Sequence, residues 1–108
     1  GLPAAMMVSS LQARVHVLAE DAPPPAVFTA LLNRSVCLTC PSGRFITFFA
    51  GLFDPATGSL TYCNAGHNPP LIVRADGSAE WLEGTGIVLG ILAKAAYEER
   101  EAHLGPGD

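Results

Sequence analysis

Residues 45–64 read Phe45-Ile46-Thr47-Phe48-Phe49-Ala50-Gly51-Leu52-Phe53-Asp54-Pro55-Ala56-Thr57-Gly58-Ser59-Leu60-Thr61-Tyr62-Cys63-Asn64. From Phe45 to Phe53 the stretch is rich in Phe, Ile and Leu and nearly free of polar groups, the pattern of a strand buried on both faces. Asp54-Pro55-Ala56-Thr57-Gly58 then breaks it: proline fixes φ, and glycine accepts a positive one. Leu60 to Asn64 returns. The stretch therefore predicts an antiparallel hairpin.

Upstream, the pattern is helical. Pro3 to Glu20 predicts a helix, with Pro3 in the first turn, where its missing N–H costs nothing. Met7, Leu11, Val15 and Leu18 fall on one face, and Ser9, Gln12, His16 and Glu20 on another, so the helix is amphipathic. Asp21 to Pro24 is a proline-rich break. A second helix is expected from Pro25 to about Leu38, carrying Phe28, Leu32 and Val36 at i, i+4 and ended by Pro41-Ser42-Gly43. Downstream, Leu71–Arg74 and Glu80–Leu82 predict a second hairpin around Ala75-Asp76-Gly77-Ser78. Tyr97 to Leu104 alternates weakly, as an edge strand does. Two helices followed by antiparallel strands define an α+β layered fold. Phe48, Phe49 and Trp81 are expected in its core.

With 108 residues the chain makes one small domain. Charged residues are 15% of it, against about a quarter in a freestanding domain. That share predicts a chain that packs against something else, further sequence of its own included. Six basic and ten acidic residues leave a net charge of −4. No basic stripe is present, so neither nucleic acid nor an anionic membrane surface is an expected partner. No apolar run reaches the roughly 18–20 residues that span a bilayer. Three cysteines cannot form a closed disulfide framework, and they predict reduced thiols in a cytoplasm. The start at Gly1 and the closing turn signal Gly105-Pro106-Gly107-Asp108 read as an excised piece that lacks a strand at its end.

Asn64-Ala65-Gly66-His67-Asn68-Pro69-Pro70-Leu71 carries the chemistry. It sets a histidine and two asparagines on a short loop between predicted strands. Gly66 lets the backbone turn tightly, and Pro69-Pro70 stiffens the exit. Polar groups on a rigid inter-strand loop are well placed for a site. The plainer reading is structural: His67 caps a backbone carbonyl, while Asn64 and Asn68 hold the turn.

This segment closely resembles the Asn-Ala-Gly-His-Asn-Pro-Pro motif of SpoIIE-type phosphatases, the bacterial branch of the metal-dependent PPM superfamily related to protein phosphatase 2C. Gly1-Leu2-Pro3-Ala4-Ala5 resembles the stretch after that family's first metal-binding Asp. Arg44-Phe45-Ile46-Thr47 and Asp54-Pro55-Ala56-Thr57-Gly58 resemble its central hairpin. Leu82-Glu83-Gly84, Leu89-Gly90-Ile91 and Gly105-Pro106-Gly107-Asp108 fit as well, so the resemblance runs through essentially the whole chain.

The resemblance implies a four-layer α/β/β/α sandwich, of which residues 1–108 form a single partial domain incomplete at both ends. It implies hydrolysis of phosphoserine or phosphothreonine on a protein, of the anti-sigma-factor-antagonist type, in bacterial partner switching. It implies Mn²⁺ or Mg²⁺ in the full domain, a pair of cations about 3.5–4 Å apart that activate water and neutralise phosphoryl charge. It places the metal-binding aspartates before Gly1 and after Asp108, so this chain alone is expected to bind no metal and to be inactive. It sets His67, Asn68 and Asn64 on the rim of the active site, with His67 as a metal ligand or phosphate donor and the Gly1 backbone beside the missing Asp.

Other readings stay beside this one. The alternative is a non-catalytic phosphatase-like interaction module that keeps the fold and binds a partner through a helical face or the sheet edges. Cys37-Leu38-Thr39-Cys40 offers half a zinc site or a redox pair, but Cys63 and a distant histidine complete four ligands poorly, and a helix ends where a redox motif starts one. His16 and His103 read as solvent-facing or rim residues. Arg34 and Arg44 match phosphate geometry, and a surface or helix-end role is the plainer reading for each. Thr47, polar in an apolar strand, needs a partner, and a backbone group is the plain choice. Sheet edges and apolar faces left open predict self-association or marginal stability.

Overall fold

A computed structural model describes residues 2–40 and 42–108. Helix α1 spans Leu2–Ala19 and α2 spans Pro25–Thr39, followed by β1 (Phe48–Asp54), β2 (Ser59–Ala65), β3 (Leu71–Val73), β4 (Ala79–Trp81) and β5 (Arg100–His103). Both helices begin within a residue of their expected starts. Pro25 opens α2, whose first turn has no side-chain cap of its own. Glu99 supplies one from far along the chain: its Oε1 accepts the Ala26 N–H at 3.0 Å. That carboxylate satisfies one of the orphan donors at the helix start and sits at the positive end of its dipole. The other end closes when the Cys40 N–H bonds the Val36 carbonyl at 2.9 Å.

β1 and β2 pair antiparallel from Phe48↔Ala65 to Asp54↔Ser59, as the central stretch predicts. The connection is held by its own residues. Asp54 Oδ1 accepts the Ala56 N–H at 3.0 Å, and the Gly58 N–H bonds the Asp54 carbonyl at 2.8 Å. Gly58 has φ +77°, the left-handed conformation that turn requires. β5 pairs with the other edge of β2, giving a three-stranded sheet in the order β1-β2-β5. β3 and β4 form a separate two-stranded ribbon.

Alternation along β1 divides the core. Phe48 and Ala50 face the helices, where Phe28, Leu32, Val36, Ala65 and Leu89 form one buried cluster. Phe49 faces the opposite side, with Tyr62, Ile72, Leu82 and Ala102. A stacked aromatic pair bridges each layer: Phe28–Phe48 with centroids 6.0 Å apart, and Phe49–Tyr62 at 5.7 Å. Leu32 and Leu89 are fully buried, each contributing roughly 1.5–3 kcal/mol of apolar burial. Leu11, Val15 and Leu18 of α1 pack against the helical cluster, on the face their spacing predicts.

Three expectations need correction. The segment Phe45–Phe53 is not a strand buried on both faces. Only Phe48–Asp54 pairs, and Phe45, Leu52 and Phe53 are each about half exposed, because β1 lies at the sheet's edge. Trp81 is not in the core but 59% exposed, since the β3–β4 ribbon turns Ile72 and Leu82 inward and leaves β4 itself open. The Tyr97–Leu104 strand shortens to Arg100–His103. No helix among the described residues is long and apolar enough to cross a membrane.

Candidate functional site

Asn64, Gly66, His67 and Asn68 all fall where β2 ends and the chain turns toward β3. Asn64 is completely buried. Its Oδ1 accepts the His67 N–H at 2.8 Å, and its Nδ2 donates to the Leu82 carbonyl at 3.3 Å. Its backbone is engaged as well. The N–H donates to Thr85 Oγ1 at 2.9 Å, and the carbonyl accepts the Thr85 N–H at 2.9 Å and the Gly86 N–H at 3.2 Å. Asn64 therefore folds the corner over itself and ties it to residues 82–86. A buried amide left without these partners costs about 1–3 kcal/mol.

Gly66 then takes φ +68°. A Cβ on this residue would overlap Val88 Cγ1 and lie 3.1 Å from the Val88 backbone nitrogen. The corner thus admits no side chain here, both for conformation and for space. Parallel bridges from Gly66 to Phe48 and from Ala65 to Gly86 fix it on two sides.

His67 emerges from this corner exposed, with its Nδ1 2.9 Å from Thr47 Oγ1. The partner of Thr47 is therefore the histidine ring and not the backbone group expected from the sequence. No described residue bonds Nε2. Thr47 also lines an open groove of about 290 Å³, walled by Met7, Val8 and Leu11 of α1 and by Arg44, Phe45 and Ile46. Arg44, exposed as expected, lines that groove as well. Asn68 is exposed beside His67. The Gly1 backbone lies outside the described residues. Another groove, of about 330 Å³ along the free edge of β1, is walled by Ala, Pro, Phe, Gly and Leu residues and brings no titratable side chain.

The remaining polar residues serve the frame. Asp54 caps its own turn. Asp76 Oδ1 accepts the Ser78 hydroxyl and, after it, the Ser78 N–H, and these bonds hold its carboxyl below the usual range. Asp108 accepts the Gly105 and Ala75 N–H groups and an Arg74 N–H, which together depress its pKa in that order. Arg74 also pairs with Glu80 and donates to the His103 carbonyl. His103 bonds the Thr57 carbonyl at 2.9 Å from the rim. Cys37, Cys40 and Cys63 are free thiols.

Among the described residues, no three His, Cys, Asp or Glu side chains converge to hold a metal ion. The turn aspartates are already engaged by their own backbones. These residues do not by themselves fit a dication centre, which asks for several convergent oxygens; nor do the thiols fit a zinc site.

Sequence reasoning missed Thr85, which ties the Asn64 backbone, and it missed Asn33. Asn33 in α2 is fully buried; its Oδ1 accepts the Gly90 N–H at 2.9 Å and its Nδ2 donates to the Leu92 carbonyl at 2.7 Å. It holds the irregular segment that carries Val88 against Gly66. The signal was available: Thr29 and Asn33 lie at i, i+4 directly beside the Phe28–Leu32–Val36 stripe.

The sequence and the fold both have relatives. A family model described as stage II sporulation protein E (SpoIIE) matches residues 1–108. Phosphoserine phosphatase RsbU of Bacillus subtilis is 32% identical over 109 residues, covering 100% of this chain and 32% of that protein. Protein IcfG of Synechocystis sp. is 33% identical over 64 residues, 59% of this chain and 10% of IcfG. The crystal structure of the RsbU and RsbW domains of Rv1364c from Mycobacterium tuberculosis matches the fold with a TM-score of 0.83 at 30% identity, covering 99% of this chain and 30% of that one. The chain thus spans a third or less of the length of each relative.

Proposed function

Since the chain belongs to the SpoIIE family, we propose that it is the central part of a single metal-dependent protein serine/threonine phosphatase domain. The substrate proposed is a phosphorylated protein of the anti-sigma-factor-antagonist type, in a bacterial partner-switching circuit. Likeness to a phosphoserine phosphatase, RsbU, supports this over the chain's full length. The observation that carries it is the Asn64–Gly66–His67 corner. Buried hydrogen bonds hold the backbone, and His67 meets Thr47, which lines a groove together with Arg44.

In this reading His67 and Asn68 stand at the rim, offering donors to a phosphoryl oxygen. Asn64 shapes the loop. Arg44 attracts the phosphoprotein's negative charge. The cofactor proposed for the full domain is Mn²⁺ or Mg²⁺, which when bound activates water and neutralises phosphoryl charge. Its carboxylate ligands belong, in this reading, to sequence on either side of the described residues. A cytoplasmic location accords with the free thiols.

The test is phosphate release from a phosphoserine protein with and without Mn²⁺, comparing this chain with the full-length protein that contains it. Mn²⁺-dependent release by the full-length protein, lowered at least tenfold by His67→Ala, is expected. Release that ignores both Mn²⁺ and His67 overturns the reading. Binding of the phosphoprotein without any release selects the non-catalytic interaction module.

A further inference from the structure

Thr47 and His67 are 20 residues apart, yet their side chains meet at 2.9 Å. The strand register brings them together: Phe48 pairs with Ala65 and bridges Gly66, so the residue before β1 lies beside the residue after the Gly66 turn. The bridge between Ile46 and Leu89 holds the Thr47 segment from its other side.

An exposed imidazole on a loop is ordinarily free to rotate about two torsions. A hydroxyl partner removes that freedom without demanding one tautomer, because it both donates and accepts. It accepts from an Nδ1–H and donates to a bare Nδ1. The contact therefore survives in either neutral tautomer and in the protonated ring. A carboxylate or a backbone N–H in its place would favour one state over the others.

We propose that Thr47 is a positioning residue: by engaging Nδ1 it fixes the His67 ring and leaves Nε2 as the ring nitrogen presented to a phosphoryl oxygen of the substrate. The proposal rests on the phosphatase reading of the corner and adds the residue that aims it. Two further observations agree. Thr47 lines a groove that Arg44 also lines, so the partner of the histidine belongs to that groove. Also, no described residue competes for Nε2.

The test uses this chain with isotope-labelled histidine, as wild type, Thr47→Val and Thr47→Ser. Three-bond couplings across the His67 χ1 torsion report whether one rotamer or an average is present. Wild type and Thr47→Ser should show one rotamer, and Thr47→Val an average. Thr47 is exposed, so both variants are expected to fold, and the His103 couplings serve as an internal control. In the full-length protein, Thr47→Val should lower kcat/KM about three- to tenfold, the effect of one lost hydrogen bond, and Thr47→Ser should restore it. Unchanged His67 couplings in Thr47→Val overturn the positioning role, even if His67→Gln abolishes phosphate release. A ring that loosens in Thr47→Val while the full-length His67→Gln protein releases phosphate normally keeps the positioning and overturns the corner's part in phosphate release, on which its purpose rests.

Discussion

Gly66→Ala offers the sharpest probe of the corner, because a matched control exists in the same chain. Gly66 and Gly77 both have positive φ, +68° and +88°. A Cβ at Gly77 meets nothing within 4 Å, whereas at Gly66 it overlaps Val88 Cγ1 and lies 3.1 Å from the Val88 backbone nitrogen. Left-handed backbone costs a non-glycine residue about 1–2 kcal/mol. Gly77→Ala should therefore lose about 1–2 kcal/mol and no more. Gly66→Ala adds overpacking against backbone that cannot move aside, typically about 1–3 kcal/mol, for a total of about 2–5. Urea unfolding measures both as shifts in midpoint at constant slope. Adding Val88→Ala should recover part of the Gly66→Ala loss, as a coupling energy in a double-mutant cycle. Recovery stays partial because truncating the valine side chain leaves its backbone where it is. Equal losses at Gly66 and Gly77, or no coupling to Val88, would refute the close approach of residue 88 to the corner.

Three further perturbations test the frame around it. Asn33→Ala strands the Gly90 N–H and the Leu92 carbonyl and should cost about 1–3 kcal/mol; a thermal midpoint unchanged from wild type would show that the 86–92 segment needs no tie to α2. Asp108 has its carboxyl held low first by the Gly105 N–H, then by the Ala75 N–H and Arg74, so its contribution is present above the ordinary carboxylate pKa and is lost as pH falls through the depressed value. Acid titration of wild type against Asp108→Asn should show that loss in wild type only, and parallel curves would contradict it. Burial raises the Tyr97 phenol to about 12, so its contribution is full below pH 10 and declines as pH climbs toward 12, when the unfolded chain ionises first. Tyr97→Phe should flatten that alkaline decline, which a melt series above pH 10 reads directly.

What the sequence revealed follows from how local each signal is. The helix starts and the Asp54–Gly58 turn are written in proline and glycine, whose backbone limits hold in any context. The local part of the corner was legible, because Asn64 accepts the His67 N–H three residues on and Gly66 takes a positive φ; its ties to Leu82, Thr85, Gly86 and Val88 were not. The exposure of Leu52, Phe53 and Trp81 was not legible, because apolar composition does not say whether a strand lies at an edge. The Thr47–His67 bond and the Asn33 tie were missed for a related reason. Each joins residues that only strand register or helix packing brings together, 20 and 57–59 positions apart. Asn33 also hid as a polar residue beside an apolar stripe, where a pattern reading assigns it to solvent.

β2 is the one strand of its sheet flanked on both edges. Its amides are therefore expected to exchange with solvent only when most of the molecule opens, later than those of β1 or β5. The histidine corner hangs from the end of that slowest-opening element, like a hook set in the keel and not in the rail. On the phosphatase reading proposed above, a visiting phosphoprotein loop would meet a surface whose shape is settled in advance, so the ordering entropy of docking falls on the visitor.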